Sequence, residues 1–170
     1  AMMFTLRGVP TVYYGDEQGF ISDGNDQLAR EDMFPSKVDF YNDNDLLGTD
    51  ATTADDNFDT AHPLYRLIGE LSQLRLSNPA LKHGLTTIRG FDHEGPGLLA
   101  VERVDPETRQ RVLIAFNTSG ESIIRHIEVD YRARGLVSLS GSCPVSVTAP
   151  GTAKLELPPF GWAACELVDR

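Results

Sequence analysis

The chain has 170 residues, of which 41% are hydrophobic and 24% are charged, and its formal net charge is −10. This composition is typical of a globular protein. The negative charge, together with the lack of a run of Lys and Arg, argues against a nucleic-acid or membrane surface as partner. No apolar stretch approaches the roughly 18 residues that a membrane-spanning helix needs.

The first feature along the chain is a short apolar run at residues 9–14. Its residues are mostly β-branched or aromatic, and charge returns only at Asp16 and Glu17. An uninterrupted apolar run between glycines predicts a strand that is buried on both faces. Delivery of carboxylates and aromatic rings at the end of such a strand is how (β/α) barrels build active sites, although any parallel sheet offers the same pattern.

Residues 15–61 show little periodicity and are dense in Asp, Asn, Gly and Thr. Such residues favour turns because their side chains bond nearby backbone groups. Residues 28–34 are expected to form a helical turn or two, which Pro35 stops. Connections in compact domains are commonly about 4–6 residues long, so a loop of this length is either disordered or functional.

The clearest helix begins at Pro63. Its apolar stripe repeats at helical spacing, and the helix is predicted to end at Asn78, because a residue before proline avoids the helical region. One apolar stripe needs a partner surface. The stripe consists of Leu64, Leu67, Ile68, Leu71 and Leu74.

The pattern changes to period two from about residue 84. Short segments separated by turn residues, with no helix between them, predict an antiparallel β-sandwich. The domain boundary is placed at residues 82/83. The predicted strands are 85–91, 97–104, 111–117, 123–129, 136–140, 145–148, 153–157 and 162–168.

Metal and cofactor sites receive little support. The segment 55–66 begins like an EF-hand loop, but a threonine and an arginine stand where the glycine and the bidentate glutamate are needed. An irregular calcium site at Asp23, Asn25 and Asp26 stays open, with a solvated turn favoured. The histidines show no paired-ligand spacing, and no phosphate or dinucleotide motif is present. No cofactor is predicted.

Two further patterns leave alternatives open. Cys143 and Cys165 fit either two buried free thiols, which are favoured, or a disulfide between strands that meet. The triplet at residues 117–119 matches an N-glycosylation sequon, a pattern that is common by chance.

Several segments together resemble the α-amylase superfamily of glycoside hydrolases. The pattern Gly-x-Pro-x-x-Tyr-Tyr-Gly-x-Glu at residues 8–17 is similar to the eighth barrel strand of that family. Residues 29–35 resemble the Arg-x-x-Met segment that follows this strand, and residues 62–81 resemble the last barrel helix and its exit. Residues 158–167 are similar to the closing strand of the C-terminal β-domain. The resemblance covers most of this chain but only the tail end of such an enzyme.

The resemblance implies an α+β fragment. Residues 1–82 would be the remnant of a catalytic (β/α)8 barrel, with the last strand, a long loop and the last helix, and residues 83–170 an antiparallel all-β sandwich. The family hydrolyses or transfers α-glucosidic linkages by a retaining two-carboxylate mechanism. Its catalytic carboxylates lie on the fourth, fifth and seventh strands, and no segment here matches those. The chain alone is therefore predicted to be inactive and to contain no catalytic residue, while its parent acts on an α-glucan, an oligosaccharide or a sucrose-like substrate.

By the same resemblance, Tyr14, Glu17 and Arg30 are candidates for one wall of the substrate pocket. The alternative for each is structural: Tyr14, like Tyr13, is a packing residue, Glu17 caps loop amides, and Arg30 makes a salt bridge within the scaffold. A calcium ion in the parent stays open, and so does its compartment, because the resemblance places its true N-terminus upstream.

Two other interpretations remain. The sandwich is either a carbohydrate-binding module, which would need its aromatic residues exposed in a row, or a structural module without a ligand. A lone helix stripe also predicts that the chain self-associates through residues 2–80 or docks the stripe onto its own sandwich. The sandwich aromatics are Phe91, Phe116, Tyr131, Phe160 and Trp162.

Overall fold

The computed structural model describes residues 1–22, 24–140 and 143–169. The chain forms two compact units: a sandwich unit made of Ala1–Gly8 with Leu74–Arg170, and a loop unit, Val9–Gln73. The domain boundary at residues 82/83 stays a prediction. No helix in the described part of the chain has the length and apolar character needed to cross a membrane. The elements are α1 (Met2–Thr5), a 3-10 helix (Asp16–Gln18), α2 (Pro63–Ser77), α3 (Pro79–His83), β1 (Leu85–Phe91), β2 (Leu98–Val104), β3 (Arg111–Asn117), β4 (Ile123–Glu128), β5 (Gly135–Ser140), β6 (Val145–Ala149), β7 (Thr152–Leu157) and β8 (Trp162–Val168).

The sandwich unit contains two antiparallel sheets. The five-stranded sheet has the order β1-β2-β3-β8-β5, and the three-stranded sheet has the order β4-β7-β6. The predicted antiparallel sandwich is confirmed, and every predicted strand lies within one residue of its observed bounds. The core between the sheets is formed by alternate residues of the strands. Its buried members include Leu98, Leu113, Ala115, Ile127, Leu155, Ala163 and Leu167.

The central strand β3 is buried along its whole length. One face contributes Leu113 and Ala115 to the core between the sheets. The opposite face carries Val112 and Ile114, both fully buried, and α3 packs against β2 and β3. This two-sided burial explains why β3 reads as a continuous apolar run rather than as a strict alternation.

The favoured expectation of free thiols is wrong, because Cys143 and Cys165 form a disulfide with a Cα–Cα distance of 5.8 Å. Cys165 lies on β8, which pairs with β5, and Cys143 follows β5 shortly along the chain. The pairing of strands that are distant in sequence brings the two residues together, and a period-two pattern does not reveal it. The bridge joins residues 22 apart, which corresponds to about 3 kcal/mol in the chain-entropy account.

The two helices α2 and α3 are joined at Asn78. Helix α2 begins at Pro63 and ends before Asn78, as the proline pattern predicts. Helix α3 was not predicted, because five residues are too few to show a helical period. The Gln110 amide holds its start: Oε1 accepts the Ala80 N–H at 3.1 Å, and Nε2 donates to the Asn78 side chain at 2.8 Å.

In the loop unit, the predicted buried strand at residues 9–14 is wrong. No strand is formed at these residues, and Val9, Tyr13 and Tyr14 are 90%, 54% and 46% exposed. The Tyr13 N–H donates to the Asp16 carboxylate at 2.9 Å instead of to a neighbouring strand. A strand buried in a parallel sheet needs partners on both sides, and the described part of this unit contains no strand.

The long acidic loop is ordered by its polar side chains. Buried Gln18 donates to the Asp59 carbonyl at 3.0 Å and accepts the Asp59 N–H at 3.2 Å, so it pairs with that segment as a backbone strand would. Buried Thr53 donates to the Tyr41 carbonyl at 2.7 Å, and buried Asn57 donates to the Thr52 carbonyl at 3.0 Å. The density of Asp, Asn and Thr that predicted turns therefore builds a fixed loop.

Candidate functional site

Two cavities of the loop unit share Tyr14. The first, the tyrosine cavity, has a volume of about 520 Å³ and also contains Glu17; its lining residues are Val12, Tyr13, Tyr14, Glu17, Tyr65, Ile68 and Gly69. The second, the phenylalanine cavity, has a volume of about 480 Å³ and also contains Arg30; its lining residues are Tyr14, Arg30, Glu31, Asp32, Met33, Phe34 and Phe58. Both volumes lie within the range of about 300–1,000 Å³ that is common for ligand sites.

Tyr14 lies within a short turn, in which the Asp16 N–H donates to the Tyr13 carbonyl at 3.1 Å. Its ring lies 4.4 Å from the Tyr13 ring between centroids, and a hydrogen bond with Tyr13 raises the pKa of Tyr14 above its ordinary value. Gly15 follows with φ +93°, and a Cβ at this position would lie 2.9 Å from the Phe20 ring. A side chain would therefore be strained at Gly15, and the turn that places Tyr14 depends on this glycine.

The Glu17 side chain is hydrogen-bonded to the backbone of the same turn. Its Oε2 accepts the Gly15 N–H at 3.0 Å, which is the amide-capping role that the structural alternative predicted. The side chain also lines the tyrosine cavity, so its carboxylate is positioned by the loop backbone rather than by another charged group.

Arg30 is tied to its own turn. Its Nε donates to the Asp26 carbonyl at 3.0 Å, and its guanidinium lies 3.6 Å from the Asp26 carboxylate. Both side chains are largely exposed, so this pair contributes little stability. The salt bridge within the scaffold is therefore present, and Arg30 also lines the phenylalanine cavity.

The structure brings Tyr14 together with Glu17 in one cavity and with Arg30 in the other. Sequence reasoning missed Tyr65, Phe34 and Phe58. Tyr65 is embedded in the helical pattern of α2, and Phe34 and Phe58 lie in a segment that shows little periodicity. The available signal for Phe34 and Phe58 was the presence of large aromatic residues within a polar, turn-rich segment.

The acidic segments form turns. Asn25 Oδ1 accepts the N–H groups of Gln27 and Leu28 at 3.0 and 3.2 Å, and Asp55 accepts the Thr52 N–H at 2.8 Å. Asp23 lies outside the described residues. Among residues 1–22, 24–140 and 143–169, no group of three or more His, Cys, Asp or Glu side chains is arranged to hold a metal ion.

The sandwich unit offers less for a saccharide. The sequon residue Asn117 is 2% exposed, and its amide donates to the Glu121 and Pro158 carbonyls at 2.6 and 2.8 Å, so it serves the fold rather than a glycan. Phe116 is buried, while Phe91 and Phe160 are exposed at the end of β1 and in the turn before β8. These residues do not form the row of exposed aromatic side chains on one sheet face that a carbohydrate-binding module would need.

The chain is similar to known enzymes over most of its length. No family model matches it. It is 47% identical over 119 residues to an α-amylase of Streptomyces lividans, covering 70% of this chain and 13% of that protein. It is 34% identical over 94 residues to a cyclomaltodextrin glucanotransferase of Bacillus sp. (strain 1-1), covering 55% of this chain and 10% of that protein. Its fold matches the α-amylase of Geobacillus thermoleovorans complexed with acarbose, with a TM-score of 0.70, 17% identity, and coverage of 99% of this chain and 32% of that one.

Proposed function

Because the chain belongs to the α-amylase superfamily of glycoside hydrolases, we propose that it is the C-terminal part of an enzyme that hydrolyses or transfers α-glucosidic linkages. The enzyme uses a retaining mechanism with two carboxylates, and both are supplied by polypeptide outside these 170 residues. The chain spans 13% and 10% of the length of the two curated relatives described above. A parent of similar length would contain enough further polypeptide to carry the two carboxylates.

Within this enzyme, Tyr14, Glu17 and Arg30 form one wall of the pocket for an α-glucan, an oligosaccharide or a sucrose-like substrate. The observation that carries this proposal is the position of Tyr14, which lines one cavity with Glu17 and a second with Arg30. An aromatic ring beside a carboxylate and a guanidinium combines an apolar contact surface with groups that accept and donate hydrogen bonds, as saccharides require.

The sandwich has a structural role in this proposal. The Phe116 and Asn117 side chains are buried in the sandwich, and the Cys143–Cys165 disulfide links two segments of it. These observations favour a structural module over a carbohydrate-binding one for residues 83–170. The barrel remnant at residues 1–82 is part of the same proposal.

The test compares this chain with its longer parent on a panel of maltooligosaccharides, starch and sucrose. We expect activity only in the parent, and a loss of kcat/KM on Tyr14→Ala and on Arg30→Ala. Tyr131→Ala serves as the matched control, since Tyr131 is an exposed tyrosine of the sandwich unit. Activity of the 170-residue chain by itself would overturn the assignment of the carboxylates. Unchanged kcat/KM in both cavity variants would overturn the wall.

A further inference from the structure

Two exposed phenylalanines share the phenylalanine cavity with Tyr14 and Arg30. The rings of Phe34 and Phe58 lie 5.5 Å apart between centroids at an interplanar angle of 50°. They are 66% and 56% exposed. An open aromatic pair in a loop otherwise rich in Asp and Asn leaves apolar area in contact with water, which is a common property of binding sites.

Two hydrogen bonds fix the backbone around Phe34. The Phe34 N–H donates to Asp32 Oδ1 at 3.0 Å, and the Ser36 N–H donates to the Thr53 carbonyl at 2.8 Å two residues later. A platform fixed before the ligand arrives loses less conformational entropy on binding.

Phe58 is anchored from both sides. It lies between Asn57, whose buried amide donates to the Thr52 carbonyl at 3.0 Å, and Asp59, which pairs with the buried Gln18 side chain. The two rings therefore sit on fixed parts of the loop rather than at a loose tip.

We propose that Phe34 and Phe58 form an aromatic platform that holds a glucosyl residue of an α-glucan beside Tyr14 and Arg30. The C–H face of the sugar packs on the rings, and its hydroxyl groups bind the Arg30 guanidinium and the Asp32 carboxylate at the rim of the same cavity. This inference rests on the proposed function and extends it, because it makes affinity depend on the length of the glucan.

The composition of the cavity favours a saccharide over a protein partner. The centre of a protein interface is depleted of charged residues, whereas Arg30, Glu31 and Asp32 line this cavity directly beside the rings. A cavity of about 480 Å³ also suits a small ligand rather than a flat protein surface.

The experiment measures binding of maltose, maltotriose and maltoheptaose to the 170-residue chain by isothermal titration calorimetry. The variants are Phe34→Ala, Phe58→Ala and the pair together, with Phe91→Ala as control because Phe91 is also a 56% exposed phenylalanine, but in the sandwich unit. We expect the paired variant to bind maltoheptaose about tenfold more weakly, with a smaller loss for maltose. Phe91→Ala should leave both affinities unchanged.

Tyr14→Ala and Arg30→Ala separate this inference from the proposed function. If these variants weaken binding while the phenylalanine variants do not, the platform is wrong and the pocket wall stands. If no variant of either set changes the affinity, or if the chain binds none of the oligosaccharides, the platform is wrong, and kcat/KM of the Tyr14→Ala and Arg30→Ala variants of the parent decides the pocket wall separately. A circular dichroism spectrum of each variant shows that the loss of binding is not a loss of folding.

Discussion

Arg75 and Arg103 donate to successive carbonyls of the same short segment. Arg75 donates to the carbonyls of Phe4 and Leu6 at 2.7 and 3.2 Å, and Arg103 donates to the Thr5 carbonyl at 3.0 Å. These are carbonyls at the end of α1, where backbone acceptors lack partners within the helix and cations are favourable. The two arginines therefore fasten residues 1–8 to the rest of the sandwich unit.

Arg103→Met should destabilise the sandwich unit by about 3 kcal/mol. Arg103 is 1% exposed and also donates twice to the Gly84 carbonyl, so its loss leaves two buried acceptors unpaired. Urea unfolding followed by fluorescence measures this, because the single tryptophan, Trp162, lies on β8. Arg7→Met is the control, since Arg7 is exposed. Equal stability of the two variants would show that the hydrogen bonds of Arg103 contribute nothing to the stability.

The disulfide should stabilise the same unit. Replacing Cys143 and Cys165 together by serine is expected to lower the free energy of unfolding by about 3 kcal/mol, because the unfolded chain regains the freedom of the closed loop. Dithiothreitol should destabilise the natural chain by a similar amount and leave the serine variant unchanged. A natural chain that is insensitive to the reductant under unfolding conditions would contradict the bridge.

The sandwich could be predicted from the sequence, since each strand carries its own alternation and turn residues mark its ends. The contacts between segments that are distant in the sequence could not be predicted in this way. The Cys143–Cys165 bridge depends on the pairing of β5 with β8, and residues 9–14 have strand propensity but no strand partner in the described part of their unit. The local residue pattern therefore predicted the strands, whereas the disulfide and the conformation of residues 9–14 depend on tertiary pairing.

The candidate site divides in the same way. Tyr14, Glu17 and Arg30 were found because they lie in segments that resemble a known family. Phe34 and Phe58 lie on a loop that is fixed by Gln18, Thr53 and Asn57, and these polar contacts join residues 5 to 41 positions apart. Such contacts leave no periodic pattern in the local sequence from which they could be predicted.

Low pH should weaken the sandwich unit. The hydrogen bond from Arg132, with further attraction from Arg111, holds the pKa of Asp130 well below its ordinary value. A carboxyl whose pKa is depressed by folding stabilises the protein above its unfolded pKa of about 3.9, and this contribution is lost as the pH falls toward the folded pKa. The melting temperature should therefore drop below about pH 4, and Asp130→Asn should make that drop smaller. An unchanged pH dependence in this variant would exclude Asp130 as the cause.

His62 caps α2 and leaves a buried donor without a partner. Its Nδ1 accepts the Leu64 N–H at 3.2 Å, so a neutral ring carries its proton on Nε2. The side chain is 3% exposed, and Nε2 has no hydrogen-bond partner among the described residues. His62→Asn keeps an acceptor for Leu64, whereas His62→Ala removes it. We expect the alanine variant to be less stable than the asparagine variant by about 1 kcal/mol, measured by thermal unfolding followed by circular dichroism. Equal stability would mean that the cap is not needed.

The loop unit should make the chain self-associate. Large apolar side chains at its surface include Val9, which is 90% exposed, and Leu47 and Tyr13, which are 59% and 54% exposed. Burial of apolar area gains about 25 cal/mol per Å², so such side chains favour contact between copies of the chain. Sedimentation velocity over a range of concentrations should show association that weakens in Val9→Ser with Leu47→Ser. Ile124→Ser, at an exposed position on β4, is the control and should leave the association unchanged. A chain that stays monomeric at the highest concentration would contradict association through residues 2–80.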